Sequence, residues 1–152
     1  MLTFEEIEFL RESNNIEDIW DDSSLEQAIF AWQYLIDQKE LTPSVIKKTH
    51  KILMLHQPIA PDEKGYYRRV PVYIGGREAP HYTTIPHSVK EWCLDVATSI
   101  QVPGDFGRHM NLDHIRYERI HPFIDGNGRT GRMFLNWQRV QADLPILVIK
   151  ES

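Results

Sequence analysis

Residues 121 to 132 read His-Pro-Phe-Ile-Asp-Gly-Asn-Gly-Arg-Thr-Gly-Arg, and these residue types at this spacing suit an anion receptor beside a base. Gly126 and Gly128 carry no Cβ, so a turn built on them, with Asn127 between, can aim successive backbone N–H groups into one concavity. The helical pattern that follows begins near Arg129, which points the positive end of its dipole at the same concavity. Arg129 and Arg132, three residues apart, share one face of that helix within its first turn. Two guanidinium forks beside an amide nest suit a ligand carrying several phosphates. Asp125 offers the hard anionic oxygen that Mg²⁺ takes from protein while keeping phosphate and water ligands. His121, at the end of the preceding helix, is a proton acceptor near neutral pH. No Lys-Ser/Thr follows the last glycine, so the segment is not a P-loop. On loop chemistry alone, an ordinary Asn-Gly turn with a hydrogen-bonding histidine explains the same residues equally well.

Charge is distributed to match. From Arg108 to Arg139 six arginines face Asp113, Glu118 and Asp125, a local balance of +3 inside a chain of net −5. His81, His87, His109 and His114 lack the paired spacing of a zinc site, and Cys93 is the one cysteine, so structural or solvent-exposed roles are expected for all of these histidines. Residues 1 to 26 hold nine acidic residues and one basic residue, Arg11, which reads mainly as a solvated face.

Helices must position these groups. Thr3-Phe4-Glu5-Glu6 is a capping box leading into Phe4, Ile7 and Leu10. Ser23-Ser24-Leu25-Glu26 is a second, opening a stripe of Leu25, Ala28, Ile29, Trp32, Leu35 and Ile36. Thr42-Pro43 starts a third helix carrying Val45, Ile46, Ile52 and Leu53. Prolines at 58, 61, 71 and 80 then forbid a long helix. Val70, Val72, Tyr73 and Ile74 favour extended chain, and Gly75-Gly76 suits a tight turn, so an exposed β-hairpin is expected here. Helix resumes at Pro86 through Val89, Trp92, Cys93, Val96, Ala97 and Ile100. Residues 101 to 107 read as a loop. A helix from about Arg108 to Ile120 uses Leu112 and Ile115 as core positions, and a last one carries Met133, Phe134, Trp137 and Val140. The expected class is all-α with one hairpin.

Composition bounds the rest. With 152 residues, 41% hydrophobic and 26% charged, one core closes comfortably and a second full domain does not fit. The acidic balance argues against a protein that coats nucleic acid or anionic lipid. One cysteine excludes a disulfide scaffold. No apolar run approaches the ~18 residues of a membrane span, and Met1 to Glu6 lack the features of a signal peptide. A cytoplasmic protein with neither nucleic-acid nor membrane partners is expected.

The 121–132 segment is similar, at all nine specified positions, to the signature of Fic domains, His-Pro-Phe-x-(Asp/Glu)-Gly-Asn-Gly-Arg-x-x-Arg. Residues 111 to 120 resemble the helix that leads into that signature, and Tyr73-Ile74-Gly75-Gly76 through Tyr82 resembles the family's flap hairpin. The likeness implies a single Fic domain over residues 1–152, a Fic-type helical core with one flap. It also implies a protein adenylyltransferase that moves AMP from ATP to a Tyr, Thr or Ser hydroxyl of a target protein. His121 would be the base and Asp125 would hold Mg²⁺. The backbone of Gly126, Asn127 and Gly128 would cradle the α- and β-phosphates, Arg129 would help the β-phosphate, and Arg132 would pair with the γ-phosphate. The flap residues Tyr73, Ile74, Gly75 and Gly76 would dock the target by strand addition.

Ser13-Asn14-Asn15-Ile16-Glu17 resembles the family's inhibitory motif, on an N-terminal helix around residues 4–20. Glu17 would there take Arg132 from the γ-phosphate. Asp18 stands where Gly or Asn is usual. In some family members the equivalent Glu instead positions water to remove AMP, so the resemblance leaves open a bifunctional or de-AMPylating enzyme, as well as a silent nucleotide-binding module. Many relatives continue past the Leu-Pro segment into a helix that helps enclose the adenine, whereas this sequence stops at Ser152, which leaves open UMP, phosphocholine or a bare phosphoryl group as the part transferred. Self-modification and homo-oligomerisation are left open too.

Overall fold

The computed structural model describes residues 1–101 and 106–150. Six α-helices are present among them: α1 (Phe4–Ile16), α2 (Asp22–Ile36), α3 (Pro43–Leu53), α4 (Ile85–Gln101), α5 (Phe106–Ile120) and α6 (Asn127–Gln141). One antiparallel hairpin joins β1 (Tyr73–Ile74) to β2 (Arg77–Glu78), with Tyr73 opposite Glu78 and Ile74 opposite Arg77. This is the mostly helical class with a single hairpin. None of the described helices is long and apolar enough to cross a membrane.

Capping chemistry sets the helix starts. Thr3 and Glu6 exchange the two hydrogen bonds of a capping box at α1. The second helix begins earlier than its Ser23 box predicts. Asp21 is the N-cap, because its two carboxylate oxygens accept both the Ser24 N–H and the Ser24 hydroxyl. Thr42 caps α3 through the Val45 N–H, with Pro43 in the first turn. α4 starts one residue before Pro86 and runs through Gln101. α5 starts at Phe106, so of the expected 101–107 loop, residues 102–105 lie outside the described residues.

The order of packing is α2 against α3, α4 against α5 and α5 against α6, with α1 laid across α2 and α6. Trp32, Trp92, Trp137, Tyr117, Phe9, Phe123 and Phe134 fill the centre. Tyr117 meets Phe134 edge-on at 5.3 Å and tilts against Trp92 at 5.0 Å, favourable geometries for aromatic pairs. α6 is the hub. Its residues from Arg129 to Gln138 are all buried, and several of its polar side chains bond inward. Gln138 donates to the Asp113 carboxylate, the Trp137 indole to the Gln38 carbonyl, and Asn136 pairs with both backbone groups of Leu147. That last pair moors the irregular 144–149 segment.

Four core expectations, on three helices, fail. Leu112 and Ile115 are exposed; α5 instead buries Met110, Asp113, Tyr117 and Ile120. Ala97 on α4 is exposed. Phe4 also faces solvent, and Phe9 with Leu10 takes its place. In each case another residue of the same helix lies on the inward face, a choice that spacing alone does not make.

Candidate active site

α5 ends where Pro122 cannot continue it, and His121 absorbs the reversal with a left-handed φ of 49°. The chain then doubles back into α6 through a loop closed by Asn127. The Asn127 carboxamide oxygen accepts the Phe123 N–H at 2.9 Å while its amide donates to the Phe123 carbonyl at 2.8 Å. The Asn127 side chain thus braces the loop, and only its backbone is available to a ligand. Gly126 is the N-cap with φ 84°, which starts α6 at Asn127, two residues ahead of the sequence expectation. A Cβ on Gly126 would lie 2.8 Å from the Met54 sulfur, so both its φ and its surroundings require glycine. The N–H groups of Asn127, Gly128 and Arg129 form the first turn, where helical amides have no intrahelical acceptor. They face a cleft of about 120 Å³ lined by Glu17, His121, Ile124, Asp125, Gly126, Asn127, Gly128 and Arg129.

His121 is half-buried and its Nδ1 has no hydrogen-bond partner. Burial lowers its pKa, the Arg68 guanidinium acts the same way, and the Glu118 carbonyl and Asp125 oppose them. At neutral pH the imidazole is therefore held in its proton-accepting form. Asp125 is exposed at the rim, and one carboxylate oxygen accepts the Gly126 N–H at 2.8 Å.

The two arginines part company although three residues apart. Arg129 is 2% exposed; its Nη2 points at the Met54 sulfur, and its Nε and Nη1 are buried without hydrogen-bond partners. Burial lowers its pKa while Asp125 and Glu17 counteract, and a guanidinium stays charged throughout. A buried guanidinium with two unpaired nitrogens has the donors to take an anion. Arg132 is held through two of its nitrogens. Its Nε donates to the Ser13 hydroxyl at 2.7 Å, and its Nη2 to the Ser13 carbonyl at 3.0 Å and the Glu17 carboxylate at 2.9 Å. α1 stops at Ile16, short of the expected 20, with Glu17 as its C-cap. The Glu17 carboxylate lies over Gly128, so close that a Cβ there would meet it at 2.7 Å.

Two residues of the site were not legible in the sequence. His50, from α3, is fully buried, stacked on Phe123 at 3.7 Å between centroids, and its Nδ1 accepts the Gly65 N–H. That fixes the proton on Nε2, which donates to the Asp125 carbonyl at 2.8 Å. Burial pushes the His50 pKa down to about 4. Arg68 reaches the carbonyl of His121 itself at 2.7 Å. A histidine on an apolar helix face and an arginine in a proline-rich stretch carry no local signal of such roles. The flap residues Tyr73, Ile74, Gly75 and Gly76 form an exposed hairpin with its turn at Gly75-Gly76, both with positive φ. Between that hairpin and α5 runs a groove lined in part by Ile74, Pro80, Ile115 and Glu118.

This loop, with its glycine N-cap and converging groups, is matched by sequence comparison: residues 40–138 fit the profile of the Fic/DOC family. The chain belongs to the Fic/DOC family. Among curated relatives of this Fic/DOC chain, it is 31% identical over 121 residues to "Protein adenylyltransferase Fic" of Drosophila ananassae, covering 78% of this chain and 23% of that one. The counterpart from Drosophila erecta is 32% identical over the same length. The chain thus spans about a quarter of the length of these relatives. Its fold is shared with a Fic-domain-containing signalling protein from Bacteroides thetaiotaomicron (TM-score 0.75, 21% identity, 95% of this chain and 66% of that one). It is shared likewise with Fic-1 from C. elegans (TM-score 0.78, 18% identity, 97% and 52%).

Proposed function

We propose that this Fic domain is a protein adenylyltransferase restrained by its own N-terminal helix. ATP enters the cleft at the start of α6. The amides of the first turn and Arg129 take the phosphates, and His121 takes the proton of a Tyr, Thr or Ser hydroxyl on a target protein. The hydroxyl oxygen then bonds to the α-phosphorus as the bond to the β-phosphate breaks and pyrophosphate leaves. The observation that carries this reading is the buried Arg129 guanidinium, two of whose nitrogens have no hydrogen-bond partner, sharing one cleft with an amide nest and a neutral imidazole. Catalysis of this type rests on preorganised charge and alignment.

Mg²⁺ fits the donor set only as an ion that keeps phosphate and water ligands. Asp125 offers a carboxylate at the rim, and among the described residues no three His, Cys, Asp or Glu side chains cluster as a cage. Bound there, it would supply positive charge to the phosphate oxygens.

Restraint follows from Arg132. The guanidinium that would hold the γ-phosphate is occupied by Ser13 and Glu17, and the remaining cleft of about 120 Å³ is below the ~300 Å³ at which small-molecule pockets begin. Glu17 keeps 42% of its side chain exposed, so its carboxylate can leave without unpacking the core. Incubation with labelled ATP and Mg²⁺ tests both halves. Glu17→Gly should label protein targets, or the enzyme itself, about tenfold or more faster than the parent, and titration calorimetry should show it taking up ATP. Equal labelling by the two proteins removes the restraint, and absence of nucleotide uptake by Glu17→Gly removes the function.

A further inference from the structure

Arg68 lies in the extended stretch before the hairpin, yet it is 4% exposed. Among the described residues no carboxylate stands within ion-pair distance of it; its guanidinium is spent on main-chain carbonyls. Nε donates to His121 at 2.7 Å, Nη1 to Val70 at 3.1 Å, and Nη2 to Pro80 at 2.7 Å and to Ile120 at 3.4 Å. Its own backbone N–H donates to the Pro122 carbonyl at 2.9 Å. These acceptors come from three places: the root of β1, the root of β2 and the end of α5.

We propose that Arg68 is a positioning residue that couples the flap hairpin to His121, holding the base in its left-handed backbone and passing movements of the hairpin roots to it. The proposal rests on the reading of His121 as the base. A non-glycine residue at φ 49° persists only where its surroundings over-determine it. Here the carbonyl of that very residue is pinned by the planar fork that also pins both ends of the hairpin. The fork matters: a guanidinium presents donors in fixed directions and can serve four carbonyls at once, whereas a lysine ammonium is a compact point charge with three donors. The hairpin itself is held by little else. Its strands are two residues long, extended by one bond from the Ala79 N–H to the Val72 carbonyl. A target segment that shifts the hairpin on docking therefore pulls directly on the residue carrying the imidazole.

The test compares Arg68→Lys and Arg68→Met in the Glu17→Gly background. It measures kcat and KM for ATP from initial labelling rates, ATP affinity by calorimetry, and hydrogen exchange segment by segment. The expected result is a kcat loss of roughly tenfold to a hundredfold with ATP affinity and KM kept. Exchange should quicken at the hairpin roots and the end of α5 and stay unchanged in α2 and α3. Two results overturn the proposal: an unchanged kcat, or a parallel fall of kcat, ATP affinity and melting temperature with faster exchange everywhere, the mark of a purely structural residue. If Arg68→Met does not fold, Arg68→Lys carries both readouts. If the Glu17→Gly parent transfers nothing, the assigned activity is wrong, while the exchange pattern of Arg68→Lys still decides whether the hairpin and the His121 backbone are coupled.

Discussion

The loop from His121 to Gly128 and the hairpin from Tyr73 to Glu78, linked through Arg68, are built on opposite principles. In the loop Phe123 is fully buried against His50, both backbone groups of Phe123 are taken by Asn127, and the carbonyls of His121 and Asp125 are pinned by Arg68 and His50. In the hairpin both strands are exposed, and a Cβ at Gly75 or Gly76 would meet nothing within 4 Å. On the proposed function, the difference matches what each would have to meet. A phosphate group is small and of fixed shape, and dipoles aimed at it are worth most when they need no reorganisation. A protein target varies in shape, and an edge that adds a strand gives affinity through main-chain bonds with little side-chain commitment.

The sharpest break in that comparison is His121→Ala. In the Glu17→Gly background transfer should fall by about 10²- to 10⁴-fold, the usual worth of a positioned base, while calorimetry finds ATP binding nearly intact, because the imidazole supplies none of the amide or guanidinium contacts. Labelling at the parent rate would dismiss His121 as the base.

Next in size is Asn127→Ala, which removes the brace and leaves the buried N–H and C=O of Phe123 without partners. Unsatisfied buried groups of this kind cost about 1–3 kcal/mol each, so denaturant unfolding should report a loss of several kcal/mol, and ATP binding should weaken with it. A change within about 0.5 kcal/mol would show that the loop is held by something else.

The loop was legible in the sequence because its chemistry is local: glycines, two arginines, a carboxylate and a histidine within twelve positions. The hairpin was legible through Gly75-Gly76 and the flanking prolines for the same reason. What was not legible depends on residues far apart in the chain. His50 stands 75 positions from Asp125 and Arg68 53 from His121, and their value comes from acceptors that only the folded backbone brings together. Hydrophobic spacing assigns Leu112 and Ile115 to the inward face of α5, but α5 buries a polar member there, Asp113, whose carboxylate is taken by Gln138 of α6 and whose carbonyl is taken by Trp92 of α4. A hydrophobic period cannot register a face that is partly polar.

Acidity separates the groups around the loop by sign. His50, with a folded pKa of about 4, binds its proton less readily than in the unfolded chain. Its contribution is therefore whole above about pH 6.5 and is lost as pH falls toward 4, about 3 kcal/mol in all. Burial lowers His114 and His121 in the same direction. Glu118 behaves oppositely. Burial, opposed by Arg132, raises it to about 7, so its contribution is whole at low pH and is lost as pH rises from the ordinary carboxylate range through 7. Between about pH 4.5 and 6.5 the two offset each other. Glu118→Gln should therefore steepen the loss of stability on acidification, read as urea midpoints at several pH values. Midpoints running parallel to the parent's across that window would contradict the opposition.

The smallest effect belongs to the hairpin and is the most specific test of the contrast. Tyr73 is 69% exposed on a two-residue strand, so Tyr73→Ala removes little buried surface and should shift stability by no more than about 0.5 kcal/mol. ATP affinity should not change, since the phosphate loop is braced without it. What should change is the KM for the protein target, because the side chain borders the edge on which an extended segment would pair. A variant with unaltered target KM would assign docking to another surface, and one with weakened ATP binding would mean that hairpin and loop are not the separate devices their burial makes them.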